Sequence, residues 1–215
     1  MAVWLGLDTA GTHLGIGLWH ADGRSHAYQA ELGRHLSTRL HLEIEAQLET
    51  FGVSVHHLAG VAVNRGPGSY TSLRLGLAAA KGLGLALGCP VVGIEGPALW
   101  ARPFLGQGRP VAVWIEANAG DLYTQHFNPD GTVQQPLAVV SAAHAVADLP
   151  ASAIVVGDGV RARRDTLPPG CDVPTAGLDP LALAKAGPEA ARDPVRFPAE
   201  AVYVRPLTYR ESGHG

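Results

Sequence analysis

The feature that most constrains this chain is that its opening pattern returns past the middle. Ala2-Val3-Trp4-Leu5 is echoed by Ala112-Val113-Trp114-Ile115, and the turn His20-Ala21-Asp22-Gly23 by Asn128-Pro129-Asp130-Gly131. A recurrence in fixed order over half a chain is the mark of an internal duplication.

The first copy begins with an apolar, partly β-branched run, Val3–Leu7, which predicts a buried strand. A turn at Asp8-Thr9-Ala10-Gly11-Thr12 precedes a period-two run through Leu14, Ile16 and Leu18. After the Asp22-Gly23 turn a polar strand is expected around Ser25–Glu31, which makes an antiparallel meander. Leu36, Leu40, Ile44, Leu48 and Phe51 then line one helix face, with Ser37 placed to cap its start and Gly52 to end it. A short strand, Gly60–Asn64, leads to Arg65-Gly66-Pro67-Gly68-Ser69 and a helix running to Leu87 before Gly88. Another strand, Pro90–Ile94, and a short helix after Pro97 complete the unit. Pro103–Pro110 reads as a linker. The second copy is expected to place strands at 112–115, 122–127, 137–140 and 154–157, with a helix at 141–148. The expected fold class is therefore α/β, from two duplicated βββαβα units. It is a two-lobed plan of the kind found in actin-like (ASKHA, ribonuclease H-like) sugar and acyl kinases. Residues 1–103 are assigned to the first lobe and 104–215 to a smaller second lobe, with the extreme C-terminus available to return to the first.

Composition narrows the function. The 215 residues suffice for a core without metal or disulfide staples. A net charge of −3 disfavours a free-standing nucleic-acid binder built on a basic patch. Only 16% of residues are charged, against 47% apolar, so the surface favours partners. Cys89 and Cys171 form neither a metal spacing nor a disulfide framework, which points to a reducing cytosol. Met1–Leu7 is too short for a signal-peptide core, and no run reaches the 18 apolar residues of a membrane span. A cytoplasmic protein is expected.

Three segments bear on chemistry. Asp8, Thr9, Gly11 and Thr12 form a turn whose small residues and hydroxyls suit close approach to a phosphate, with Asp8 positioned to hold magnesium through water. The same residues equally make a plain β-turn bonded to its own backbone. The matching second turn has Asn118, with Glu116 and Ala119 beside it. A phosphotransferase lacking the second acid would orient metal and nucleophile poorly. The Gly66–Ser69 run is no Walker A, since no Gly-Lys-Ser/Thr follows; an anion site and a helix-entry turn capped by Ser69 both fit it.

The following helix carries Ser72, Gly76, Ala80, Gly84 and Gly88 at steps of four. Each interior glycine costs about 1 kcal/mol relative to alanine, so another backbone should approach this row closely. That neighbour is either the chain's own sheet or first helix, or a partner's helix. Arg74 and Lys81, seven apart, mark the face that meets solvent or an acidic partner. Ten histidines include no H-x-x-x-H pair, and no G-x-S-x-G elbow occurs. No metal or nucleophile constellation is expected.

RGPGSYTSLRLGLAAAKGLGLALGCPVVGIE, spanning Arg65–Glu95, resembles the signature segment of the bacterial TsaB (YeaZ-like) family of the tRNA threonylcarbamoyladenosine (t6A) apparatus. LGLDTAGTHLGIGLW, AVWIEANAGDLY, IVVGDG and VYVRP resemble it in the same order. Tyr70, Ser72, Leu36-Ser37, Leu42 and Glu116-Ala117-Asn118 depart from that family's usual residues. The resemblance implies an actin-like fold and a non-catalytic subunit that binds and activates a larger TsaD-like subunit. It implies no intrinsic cofactor here, with ATP and metal on the partner, which transfers threonylcarbamoyl to N6 of adenosine 37 in tRNAs reading codons that begin with A. A TsaE-like ATPase joins the larger complex, a homodimer is a further possibility of the same surface, and tRNA is met only indirectly. Partner contacts are expected at Leu40, Ile44, Leu48, Gly76, Ala80 and Gly84, so that Ala80→Arg removes binding and spares the fold. The competing reading is an autonomous sugar or acyl kinase.

Overall fold

A computed structural model describes residues 2–117, 120–174 and 177–204. In the first lobe β1 (Val3–Asp8), β2 (His13–His20) and β3 (Ser25–Glu31) form the expected meander, and β4 (Leu58–Asn64) and β5 (Val91–Ile94) add in parallel on the far side of β1. The strand order is β3-β2-β1-β4-β5. Alternation along β1 sends Val3, Leu5 and Leu7 to one face and Trp4 and Gly6 to the other. The first face is covered by α1 (Leu36–Thr50) and α2 (Tyr70–Leu87), whose Leu40, Ile44, Leu48, Leu77 and Ala80 join a single buried cluster with the strands.

The start of α1 differs from expectation. His35, the last residue of a 3-10 turn Gly33–His35, is the N-cap, and Ser37 lies inside the helix on its exposed side. The turn already presents helical geometry to Leu36, so no serine cap is needed; the Thr38 hydroxyl donates to His35 O instead, at 3.0 Å. At the other end Gly52, with φ +75°, follows the helix as expected.

The second lobe repeats the plan with β6 (Val111–Glu116), β7 (Asp121–Phe127), β8 (Val133–Ser141), α4 (Ala142–Ala147) and β9 (Ile154–Val156), ordered β8-β7-β6-β9. Its last helix is replaced by 3-10 turns over Asp158–Thr166. Between the lobes, α3 (Gly96–Ala101) gives Leu99 to the first lobe's core and Ala101 to the second's. The 103–110 stretch is fastened rather than loose, with Gly106 N–H donating to Pro129 O at 2.7 Å.

Part of the 104–215 stretch lies with the first lobe. Helix α5 (Pro180–Ala190) packs across the open face of the first sheet, beside Trp4, Ala62 and Val92. Glycines in the strands make this possible. A Cβ on Gly6 would stand 2.6 Å from the Ala184 nitrogen and one on Gly17 would stand 2.3 Å from Pro180 O. Only bare backbone lets the helix sit that close.

Candidate functional site

The lobes enclose a cleft of about 840 Å³ between the 10–14 turn, the start of α2, the end of β6 and Asp158. The sequence-flagged turn lies at its base, yet two of its four candidates are engaged inside the fold. Asp8 Oδ1 accepts from Ala10 N–H and from Asn64 Nδ2, both at 2.9 Å. The Thr9 hydroxyl is buried and donates to Ser72 O at 2.7 Å. Ala10 O accepts from Ser69 N–H at 2.8 Å, and Gly68 is packed so tightly on Ala10 that a Cβ there would stand 2.3 Å from the carbonyl oxygen. Of the two phosphate-turn readings, the self-bonded one describes Asp8 and Thr9. Gly11 and Thr12 remain exposed in the cleft wall, with Thr12 Oγ1 2.9 Å from His13 Nδ1.

Ser69 takes the N-cap position of α2, but its hydroxyl pairs with that of Ser72 at 3.1 Å rather than with a helix amide. Asn118, the residue matched to Asp8 in the second turn, lies outside the described residues. The second acid of the cleft comes from elsewhere. Asp158 follows Gly157 at the end of β9, and a Cβ on Gly11 would lie 3.8 Å from its Oδ2. The motif Ile154-Val-Val-Gly-Asp-Gly159, a buried strand ending in Gly-Asp as β1 ends in Leu-Asp, was the signal available for it.

Both carboxyls are held above the usual carboxylate range. For Asp8 burial is the main cause, opposed by its two hydrogen bonds and reinforced by the charge of Asp158. For Asp158 desolvation on the cleft wall leads, opposed by the Glu116 N–H that donates to it at 2.8 Å and reinforced by the Glu116 carboxylate. Glu116 itself is gripped by Arg163, at 2.7 and 3.1 Å.

Glu31, Glu116 and Asp158 line the cleft, while no Lys or Arg lines it among the described residues. Nor do three His, Cys, Asp or Glu side chains gather as a metal set among the described residues.

The six expected contact residues face the inside of the first lobe. Leu40, Ile44, Leu48 and Ala80 are buried in the first lobe's own core. Gly76 faces Thr9, with 2.2 Å from a notional Cβ to Oγ1, and Gly84 faces Val91 at the same distance. The small-residue row is thus explained by the chain's own sheet. The opposite side of α2 is the one left open: Leu75 is half-buried, Ala78, Gly82 and Leu85 are exposed, and Arg74 and Lys81 lie among them. Leu85 is 89% exposed, a Cβ on Gly82 would touch nothing within 4 Å, and Leu42 on neighbouring α1 is 59% exposed. Helical spacing marks both rows equally, so the sequence alone did not say which one faced inward.

A protein-family model described as "TsaD: tRNA N6-adenosine threonylcarbamoyltransferase" matches residues 29–162. The chain is 30% identical over 131 residues to tRNA threonylcarbamoyladenosine biosynthesis protein TsaB of Escherichia coli, covering 59% of this chain and 55% of that protein. It is 31% identical to the Bacillus subtilis protein of the same name, over 56% of this chain and 52% of that one. The chain spans about half the length of these curated relatives. Among solved structures, YeaZ from Pseudomonas aeruginosa superposes with a TM-score of 0.77 at 23% identity, covering 94% of this chain and all of that one. The ethanolamine utilization protein EutJ from Carboxydothermus hydrogenoformans gives 0.51 at 12% identity, covering 85% of this chain and 89% of its own. The fold is the two-lobed actin-like α/β fold.

Proposed function

The chain belongs to the TsaD family and is TsaB/YeaZ-like, and we propose that it serves t6A biosynthesis as a non-catalytic subunit. On this reading it docks on a TsaD-like subunit through the outer faces of α2 and α1 and activates that subunit's threonylcarbamoyl transfer to adenosine 37 of tRNA. ATP and metal belong to the partner, a TsaE-like ATPase joins the assembly, and tRNA is reached only through it. The site is cytoplasmic. Among the described residues no helix is long and apolar enough to cross a membrane.

The observation that carries the proposal is the open apolar stripe Leu75, Ala78, Gly82 and Leu85. Fully covering a leucine contributes about 1.5–3 kcal/mol, and a bare Gly82 lets a second helix come close. The test is co-purification with the TsaD-like subunit and nucleoside analysis of t6A in cells dependent on this chain. Leu85→Glu and Gly82→Arg should each leave the isolated chain folded, abolish co-elution and lower t6A. Co-elution and t6A unchanged in both variants would remove α2 from the interface.

The second reading, an autonomous phosphotransferase, draws on Asp8 and Asp158, whose charges act on one another near the cleft. Isothermal titration of the chain alone with Mg-ATP decides it: turnover without a partner would overturn the subunit reading.

A further inference from the structure

Beneath α4 the second lobe encloses a titratable ring that neither the cleft nor the docking face uses. His126 on β7 pairs in register with Ala112 of β6 and Gln135 of β8, and residues directly opposite on neighbouring strands share a face. That face holds Ala112, Trp114 and Leu122 and is covered by α4 through Ala145 and Val146. His126 is 3% exposed, and its Nε2 has no hydrogen-bond partner among the described residues. Trp114, two residues along β6 from Ala112, is fully buried with its Nε1 likewise unpaired. An indole nitrogen only donates, so it cannot receive the extra N–H of a charged imidazole.

The sheet brings this ring uncharged neighbours, Ala112 and Trp114 on β6 and Gln135 and Ala138 on β8. Charged groups further off are already engaged. Glu116 at the end of β6 is held by Arg163, Arg109 before β6 pairs with Asp172, and Asp130 in the β7–β8 turn is bonded by Thr132. On the covering side His144 and Asp148 pair with each other at 2.9 Å, and the Asp148 charge acts on His126. Burial outweighs that pull and holds the His126 pKa below its ordinary 6.5. The folded state therefore binds this proton less well than an opened one, and stability present above pH 6.5 is lost as pH falls towards the lowered folded value.

The surroundings let such a cost act locally. The β7–β8 ladder shifts register on both sides of His126, β8 is the outer strand of its sheet, and α4 has only six residues. The first lobe's buried histidine is placed differently, with Asp22 Oδ1 2.7 Å from His20 Nδ1 to receive a charge. We propose that His126 is an acid-operated release: its protonation loosens α4 and β8 from β7, opening the outer side of the second lobe while the first lobe stays closed. The release does not depend on the docking reading.

Hydrogen exchange of the full-length chain at pH 7.5 and pH 5.5, corrected for the intrinsic pH dependence of amide exchange, tests it. Opening that exposes a histidine of ordinary pKa gains about tenfold over this interval when the closed form stays neutral. Protection at 122–127 and 138–147 should fall by about that factor, with 36–50 and 70–87 within about twofold. His126→Gln, which cannot titrate, should keep its own second-lobe protection within about twofold over the same interval, whatever its stability at pH 7.5. A fall below about threefold in the parent overturns the release, as does an equal fall in His126→Gln or in the first lobe. In NMR of the parent, the ring signal missing from His126→Gln should titrate below pH 6.5. A midpoint at or above 6.5 overturns the release as well.

Discussion

The two sides of α2 look alike in sequence and do opposite things in the fold. On the inner side Gly76 and Gly84 are glycine because Thr9 and Val91 occupy the space a side chain needs. On the outer side Gly82 has empty space around it, yet pays the same helical cost. A glycine whose neighbour is visible is explained by the fold. One whose neighbour is missing, beside an 89% exposed leucine, points to something outside the fold. The difference separates residues that build the lobe from residues that present it.

Substitutions should break or sharpen this contrast. The largest effect is expected from Gly76→Val, which drives a branched side chain into Thr9 and the Thr9–Ser72 hydrogen bond. It should cost about 3 kcal/mol, or roughly 6–12 °C in Tm, by chemical and thermal denaturation. Ala80→Arg belongs with it, since it forces a guanidinium into the core; loss of folding rather than selective loss of a partner is the expected outcome in circular dichroism. Gly82→Ala should do the reverse and stabilise the isolated chain by about 1 kcal/mol, roughly 2–4 °C. A destabilised Gly82→Ala would mean that the outer side is not open.

The smallest effect concerns Asp8, beneath the inner side. Its folded pKa is raised, so the folded state holds the proton more tightly than the unfolded one. Its ionisation therefore removes stability as pH climbs from the ordinary carboxyl value of 3.8 through the raised folded value. Asp8→Asn abolishes that titration. Relative to the parent, the variant's Tm should improve as pH rises through this window and level off above it. A parallel pair of Tm–pH curves would show that Asp8 titrates normally.

Much of the local structure was readable from single residues. The four-residue steps of Leu36, Leu40, Ile44 and Leu48 placed α1, the alternation of Leu14, Ile16 and Leu18 placed β2, and Gly88 with φ +65° ended α2 where expected. Ser37 failed as a cap because the preceding 3-10 turn had already set the geometry, which depends on Gly33 with φ +49° rather than on any capping side chain. The cleft was harder. Asp8 and Asp158 lie 150 positions apart and feel each other's charge only because the fold brings them near. Glycines at 6 and 17 did carry a signal for α5, since glycine inside a buried strand marks a close backbone approach. They could not say that the approaching helix came from the far end of the chain.

By itself, the sequence determined the elements, their duplication and the apolar face each presents, because those follow from local periodicity and backbone chemistry. The tertiary structure decided which row of α2 faces its own sheet and which is left open. It also decided that the C-terminal run serves the first lobe. Periodicity gives a helix two sides without naming them; only the competition among all elements for the same sheet assigns one to the core.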